Sequence, residues 1–343
     1  MSKQRDPWFD NAKMTLVTLI VVGHAWVLLP KNTSTEWLYD FLYSWHVPAF
    51  VIITGYLSRS FTWEPRRLWS LFKTVVVPYV IFEALLAAFR YYVGGVELHD
   101  LFLDPHWPMW YVSAMFFWRL MTPIFMSPPA LVAIAASVLI SLAAGLWAGD
   151  TFDFARVFGL LPFYVLGLRM RPEHWQFVHR PGTQVFGLVS LSAMFVLTHY
   201  TDMLIETEWL YYRSRYDALE PDNLRATAIR ATLLFLGLSG SLGFYALVPR
   251  LKSWFTHLGS ATLVVYLCHG FFVLYADYAG FDEWAEQHWL IGLFLSTVLG
   301  VALALFLASP PVAHKLNLLI DPIGAVQRRR DRRRQPDPDP SSA

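Results

Sequence analysis

The sequence predicts an all-α, polytopic integral membrane protein with about ten transmembrane helices and both termini cytoplasmic. Three observations carry that expectation. Of 343 residues, 55% are hydrophobic and only 15% are charged, against about a quarter charged in a soluble domain. The apolar residues gather into runs, and two of these, 131–147 and 291–309, hold no charge. A helix of about 20 apolar residues crosses roughly 30 Å of hydrocarbon. Lysine and arginine collect in alternate connections, as cytoplasmic loops do.

Residues 1–8 form a cytoplasmic N-terminus, and residues 9–309 form the membrane domain. Ten spans are drawn at 9–29, 37–57, 68–91, 109–125, 130–147, 152–168, 183–199, 226–248, 261–278 and 289–308. The first contains His24 and lacks a small-residue cleavage site, so it is a retained helix and not a signal peptide. Pro78, after three valines, predicts a kink in the third. Pro123, Pro128 and Pro129 predict a tight turn between the fourth and fifth. The connection 200–225 carries mixed charge. It is long enough to cover a site or hold a short surface helix, and a plain solvated connector is the other reading. From 310 to 343 the chain becomes a basic, disordered cytoplasmic tail, with arginines 328–330 and 332–334 expected against anionic headgroups.

The net charge of +1 hides strong segregation. Lys3, Arg5, Arg59, Arg66, Arg67, Arg169, Arg171, Arg180, Arg250 and Lys252 fall on one side. Glu97, Asp100, Asp104, Asp282, Glu283 and Glu286 fall on the other. Cys268 is the only cysteine, which rules out an intrachain disulfide and a cysteine zinc cluster. A phosphate-binding Gly-rich loop with lysine, a Gly-x-Ser-x-Gly elbow and a His-Glu-x-x-His pair are all missing. ATP hydrolysis and zinc proteolysis are therefore unsupported, and no metal is expected.

Ionisable groups inside spans are costly, and each needs a partner or a task. Lys13 and His24 are eleven residues apart. That leaves about 20° between their directions and about 16 Å along one helix face. His24 can act as a base towards an alcohol that attacks a carbonyl, and Lys13 can bind a phosphate or pair with Asp10. The plainer reading has Lys13 snorkelling and His24 bonding a neighbouring helix. His46, in Trp45-His46-Val47-Pro48-Ala49-Phe50, lies near the outer start of the second span, where it can meet His24 or serve as an interfacial anchor. Arg59, Arg66 and Arg67 fit either the positive-inside rule or a polyphosphate dock. Trp110 and Tyr111, after His106-Trp107-Pro108-Met109, fit an aromatic belt or a sugar-stacking wall. His269, in Tyr266-Leu267-Cys268-His269, is a further buried imidazole. Glu83, Arg119 and Arg230 suit pairing between helices at least as well as catalysis.

Asp10-Asn11-Ala12-Lys13 followed by Val21-Val22-Gly23-His24, with Trp45 to Phe50 and Ile53-Thr54-Gly55-Tyr56, resembles the membrane acyltransferase-3 family, in its fucose 4-O-acetylase-like branch. Members open with a basic residue, ten intervening residues and a histidine, as Lys13 and His24 do. Here Val47, Thr54 and Trp45 replace the family's usual methionine, serine and phenylalanine. Trp110-Tyr111 and Tyr266 to His269 resemble two later family elements. Arg59, Arg66 and Arg67 depart from the family's Arg-x-x-Arg spacing.

The resemblance implies transfer of an acyl group, acetyl first among candidates, from acyl-CoA to a hydroxyl of a carbohydrate, envelope component or secondary metabolite. It implies an essential His24 supported by Lys13, and His46 or His269 is expected to polarise the carbonyl or orient His24. Arg59, Arg66 and Arg67 would meet acyl-CoA, while Asn11, Trp110, Tyr111 and His269 would face substrate. Acyl-CoA is expected as donor, a carbohydrate or lipid-linked glycan as acceptor, lipids as surroundings and no nucleic acid as partner. The expected place is the bacterial plasma membrane, as a multi-pass protein. A transporter of a sugar or lipid-linked oligosaccharide is the alternative.

Overall fold

A computed structural model describes residues 6–98, 101–149, 151–220 and 222–327, and no strand occurs among them. Lys3, Arg5, Asp100 and the tail arginines 328–330 and 332–334 lie outside the described residues. Helix α1 is Pro7–Trp26, followed by α2, Thr33–Tyr43, and α3, His46–Ser58. Next come α4, Pro65–Leu71, a π-helical turn at Phe72–Val76, and α5, Val77–Gly94. Then follow α6, Trp110–Met126; α7, Ala130–Ala144; α8, Phe154–Gly159; α9, Leu161–Arg169; and α10, Pro172–Val178. The chain continues through α11, Pro181–Thr198; α12, Tyr216–Leu219; α13, Asn223–Leu247; and α14, Trp254–Leu258. It closes with α15, Thr262–Tyr278; α16, Phe281–Gln287; α17, Trp289–Ala308; and α18, Pro310–Ile320.

Four helices are long and apolar enough to cross a membrane: Pro65–Gly94, Pro181–Thr198, Asn223–Leu247 and Trp289–Ala308. Two bent pairs raise this to six. Thr151–Gly159 with Leu161–Arg169 turns by 56°, and Thr262–Tyr278 with Phe281–Gln287 by 63°. Long apolar side chains on the outer helices point away from the protein, among them Val185 and Val189 on α11 and Ile291, Phe294 and Val298 on α17. Such a belt would aggregate in water and is at home in hydrocarbon. The protein is therefore a multi-pass membrane protein.

Three predicted spans differ in form. The run drawn as one span at 37–57 is two helices, broken at Ser44 and Trp45. Pro48 lacks the N–H that a continuous helix would use and tolerates only a first turn, so α3 restarts at His46. The run at 152–168 breaks at Leu160, just before Pro162. The kink expected at Pro78 is a widened turn instead: the Val77 N–H donates back five residues to the Phe72 carbonyl. That widening precedes the proline and makes room for its ring.

Helix α1 runs through the middle of the bundle. Asp6 caps it by accepting the Trp8 N–H at 3.0 Å, with Pro7 in the first turn. It packs on α17, α15, α3, α14 and α2, and its side chains from Met14 to Val17 and from Ile20 to His24 are mostly buried. Helix α3 packs closest on α9. Gly55 and Gly167 make the crossing: a methyl on either would strike the backbone carbonyl of Tyr164 or Ile52 on the facing helix. Through this contact α3 and α9 hold their two chain breaks, and the residues next to them, beside the C-terminal end of α1.

Candidate active site

A cavity of about 460 Å³ lies at the C-terminal end of α1. Its walls are largely aromatic, with Tyr39, Tyr43, Trp107, Trp110, Tyr111 and Tyr266 prominent. Into it face two imidazoles, His24 and His46, and one largely buried guanidinium, Arg156. The long connection 200–225 is built from two 3₁₀ turns and α12, and its residues Leu210, Tyr211 and Arg213 line one side of the cavity. Asp277 and Asp282 stand where α15 meets α16.

His24 and His269 are joined: Nδ1 of His24 lies 2.7 Å from Nε2 of His269, with ring centres 5.0 Å apart. Nδ1 of His269 in turn lies 2.7 Å from the Tyr266 carbonyl oxygen and 3.1 Å from that of Val265. A carbonyl oxygen only accepts, so Nδ1 of His269 carries hydrogen and, in a neutral ring, Nε2 accepts. Nδ1 of His24 is then the donor. This leaves the Nε2 lone pair of His24, the form a proton acceptor needs. Helical geometry fixes the relay, since His269 reaches back one turn to carbonyls of its own helix. Trp107 packs against His24 with ring centres 4.5 Å apart.

His46 has the same tautomer for the same reason. Its Nδ1 lies 2.7 Å from the Leu42 carbonyl across the α2–α3 break, and it packs edge-on against Tyr43 at 4.7 Å. Tyr43 stacks on Tyr39 at 4.2 Å, and Tyr211 donates to the Tyr39 hydroxyl at 3.0 Å. The Tyr111 hydroxyl is held by Thr54. These rings form flat, amphipathic walls, apolar on their faces and carrying hydroxyls at their edges.

The sequence candidates separate into two places. His24, His46, Trp110, Tyr111 and, one ring behind, His269 converge on the cavity. Asn11 and Lys13 lie at the other end of α1, away from its lining. The Asn11 amide donates to the carbonyls of Pro249 and Leu251 and accepts from Thr256. Lys13 pairs with Asp10 at 2.9 Å and donates to the Gly259 carbonyl at 2.9 Å. Arg59 spreads over the Tyr56 ring at 3.6 Å and donates to the carbonyls of Tyr56 and Met170. Arg66 and Arg67 are exposed on α4.

Arg156 was not singled out from sequence, although a cation four residues into an apolar span was a usable signal. Trp107 was read only within the aromatic segment 106–111, as belt or sugar-stacking wall, and its contact with His24 depends on the fold of the loop 101–109. Among the described residues, no cluster of three or more His, Cys, Asp or Glu side chains could hold a metal ion.

The sequence pattern of a family described as an acyltransferase domain matches residues 6–309. Two nodulation proteins called NolL are also similar. The one from Sinorhizobium fredii is 29% identical over 140 residues, 36% of this chain and 37% of the relative. The one from Mesorhizobium japonicum is 38% identical over 63 residues, 17% of each. The similarity thus spans well under half the length of these relatives. No solved structure matches.

Proposed function

This chain belongs to the acyltransferase domain family, and on that premise we propose that it is a membrane O-acyltransferase that uses an acyl-CoA, acetyl-CoA foremost, with His24 as general base. The observation that carries the proposal is the relay from His24 through His269 to the Tyr266 carbonyl, which leaves the Nε2 lone pair of His24 at an aromatic cavity. The acceptor hydroxyl attacks the thioester carbonyl carbon and gives its proton to Nε2 of His24. The C–S bond then breaks, and the departing thiolate takes that proton back. His269 holds His24 in the required tautomer and accepts a strengthened hydrogen bond while His24 is charged. His46 is the second imidazole at the cavity and assists in orienting the acceptor.

The aromatic walls favour a carbohydrate or similar polyhydroxylated acceptor, with Trp110 and Tyr111 against its ring. A span arrangement of ten, with both termini in the cytoplasm, places Lys13, Arg59, Arg66 and Arg67 on the donor's side. It places the cavity mouth, with Arg213 and Asp282, on the opposite side. In this reading Arg59, Arg66 and Arg67 meet the nucleotide end of acyl-CoA, and Asn11 and Lys13 shape the donor end of α1. The protein sits in the bacterial cell membrane, with 9–309 as the transferase domain and 310–343 as a cytoplasmic tail that opens, contrary to the disorder expected from 310, with the helix α18. Membranes containing the protein, given acetyl-labelled CoA and a panel of carbohydrate acceptors, should form a labelled ester that alkali releases. Labelled donor that stays intact with every acceptor and acyl chain offered counts against the proposal.

A further inference from the structure

Acyl transfer places negative charge on the carbonyl oxygen as the thioester carbon becomes tetrahedral, and a fixed hydrogen-bond donor at that oxygen speeds the step. Nothing assigned so far fills that role, because His24, His269 and His46 all offer acceptors or are turned to carbonyls. Arg156 lines the same cavity. Its Nη1 donates to Asp153 at 2.9 Å, its Nε donates to the Tyr211 carbonyl at 3.2 Å, and its Cζ lies 4.9 Å from the centre of the Trp110 ring. Three separate elements therefore immobilise the guanidinium. Its remaining amino group, Nη2, has no acceptor among the described residues.

The carboxylate that holds it is placed at a cost. Phe152 and Asp153 both adopt left-handed backbone, at φ 51° and 55°, a region side chains other than glycine's avoid. That turn starts α8 and aims the buried Asp153 carboxylate at Arg156. Pairing with Asp153 offsets the cation, so the cavity gains an aimed donor without an unpaired buried charge.

We propose that Arg156 is a catalytic residue that donates from Nη2 to the acyl carbonyl oxygen; this rests on the acyl-transfer reading above. As the acceptor oxygen bonds to the carbonyl carbon, the carbonyl π pair moves to oxygen and is held by Arg156. The hydroxyl proton goes to Nε2 of His24. When the oxyanion collapses, the C–S bond breaks, and the thiol leaves with the proton from His24.

The test uses full-length protein in lipid, with Arg156→Ala and Arg156→Lys compared with the parent and with His24→Ala. Loss of one such donor lowers kcat on the order of 10²–10³-fold, with acceptor KM moved by no more than about threefold, because the contact strengthens only in the transition state. Lysine keeps the charge but not the planar fork, so Arg156→Lys stays impaired. Free guanidinium ion restores part of the turnover of Arg156→Ala and none of that of His24→Ala. A structural role alone would not give that rescue. The proposal is overturned if kcat of Arg156→Ala stays within about threefold of the parent, if only KM rises, or if guanidinium restores nothing. Those results leave transfer by His24 standing, whereas full activity in His24→Ala removes the reading beneath.

Discussion

At the scale of single residues, proton transfer depends on which nitrogen of His24 bears hydrogen. His269 decides this by accepting from Nδ1. A glutamine at 269 can still accept through its side-chain oxygen, and an alanine cannot. His269→Ala should lower kcat on the order of 10²–10⁴-fold, as losing the group that fixes a catalytic tautomer does. His269→Gln should retain measurably more, read as ester formed per protein per minute. Equal loss in both variants contradicts the relay. The sequence made part of this legible. The spacing of Lys13 and His24 put both on one face of one helix, and that is how they lie. It could not show that His24 meets His269, because that contact joins residues 245 positions apart. Nor could it show that Lys13 and Asn11 bond backbone carbonyls of 249–259, since backbone acceptors leave no mark in a sequence.

At the scale of elements, the loop 101–109 sets the face of the cavity that carries Trp107. It is tied at four points: Tyr79 donates to the Phe102 carbonyl at 2.9 Å, Phe152 N–H to that of Leu103 at 2.5 Å, His106 N–H to the Glu83 carboxylate at 3.0 Å, and the Tyr266 hydroxyl to the Pro108 carbonyl. Burial, with Arg90 and Arg213 nearby, pushes the His106 imidazole down to about 4 from its ordinary 6.5. The unfolded chain therefore binds a proton that the folded loop refuses between those values. The stability from a neutral His106 is complete above about 6.5 and is lost as pH falls towards about 4. His106→Asn removes this proton linkage. Thermal melts from pH 7 to 4.5 should show the parent losing stability more steeply than the variant, and parallel profiles contradict it. The helices themselves were largely readable from apolar runs. The breaks at Ser44–Trp45 and Leu160 were not, because both flanks of each break are apolar and a hydropathy window joins them. Those breaks matter, since His46 and Arg156 sit beside them.

At the scale of the whole molecule, a sheath of lipid-facing helices encloses a largely apolar core, with the polar-lined cavity at one end of α1 and basic residues at the other. The membrane class was plain from composition, because a chain whose outer surface meets hydrocarbon must be both rich in apolar residues and poor in charge. The end of the bundle that holds the cavity was not, since it depends on how α1, α3, α6, α8 and α15 converge. If His24 is the proton acceptor at that cavity, it is needed for chemistry and not for assembly. The direct measurement is label transfer by the purified parent and His24→Ala in proteoliposomes, with matched melting temperatures and saturating acetyl-labelled CoA and acceptor. Labelled ester is expected from the parent, and kcat should fall by at least roughly 10²-fold in the variant. Ester formation by correctly folded His24→Ala at the parental rate would contradict it.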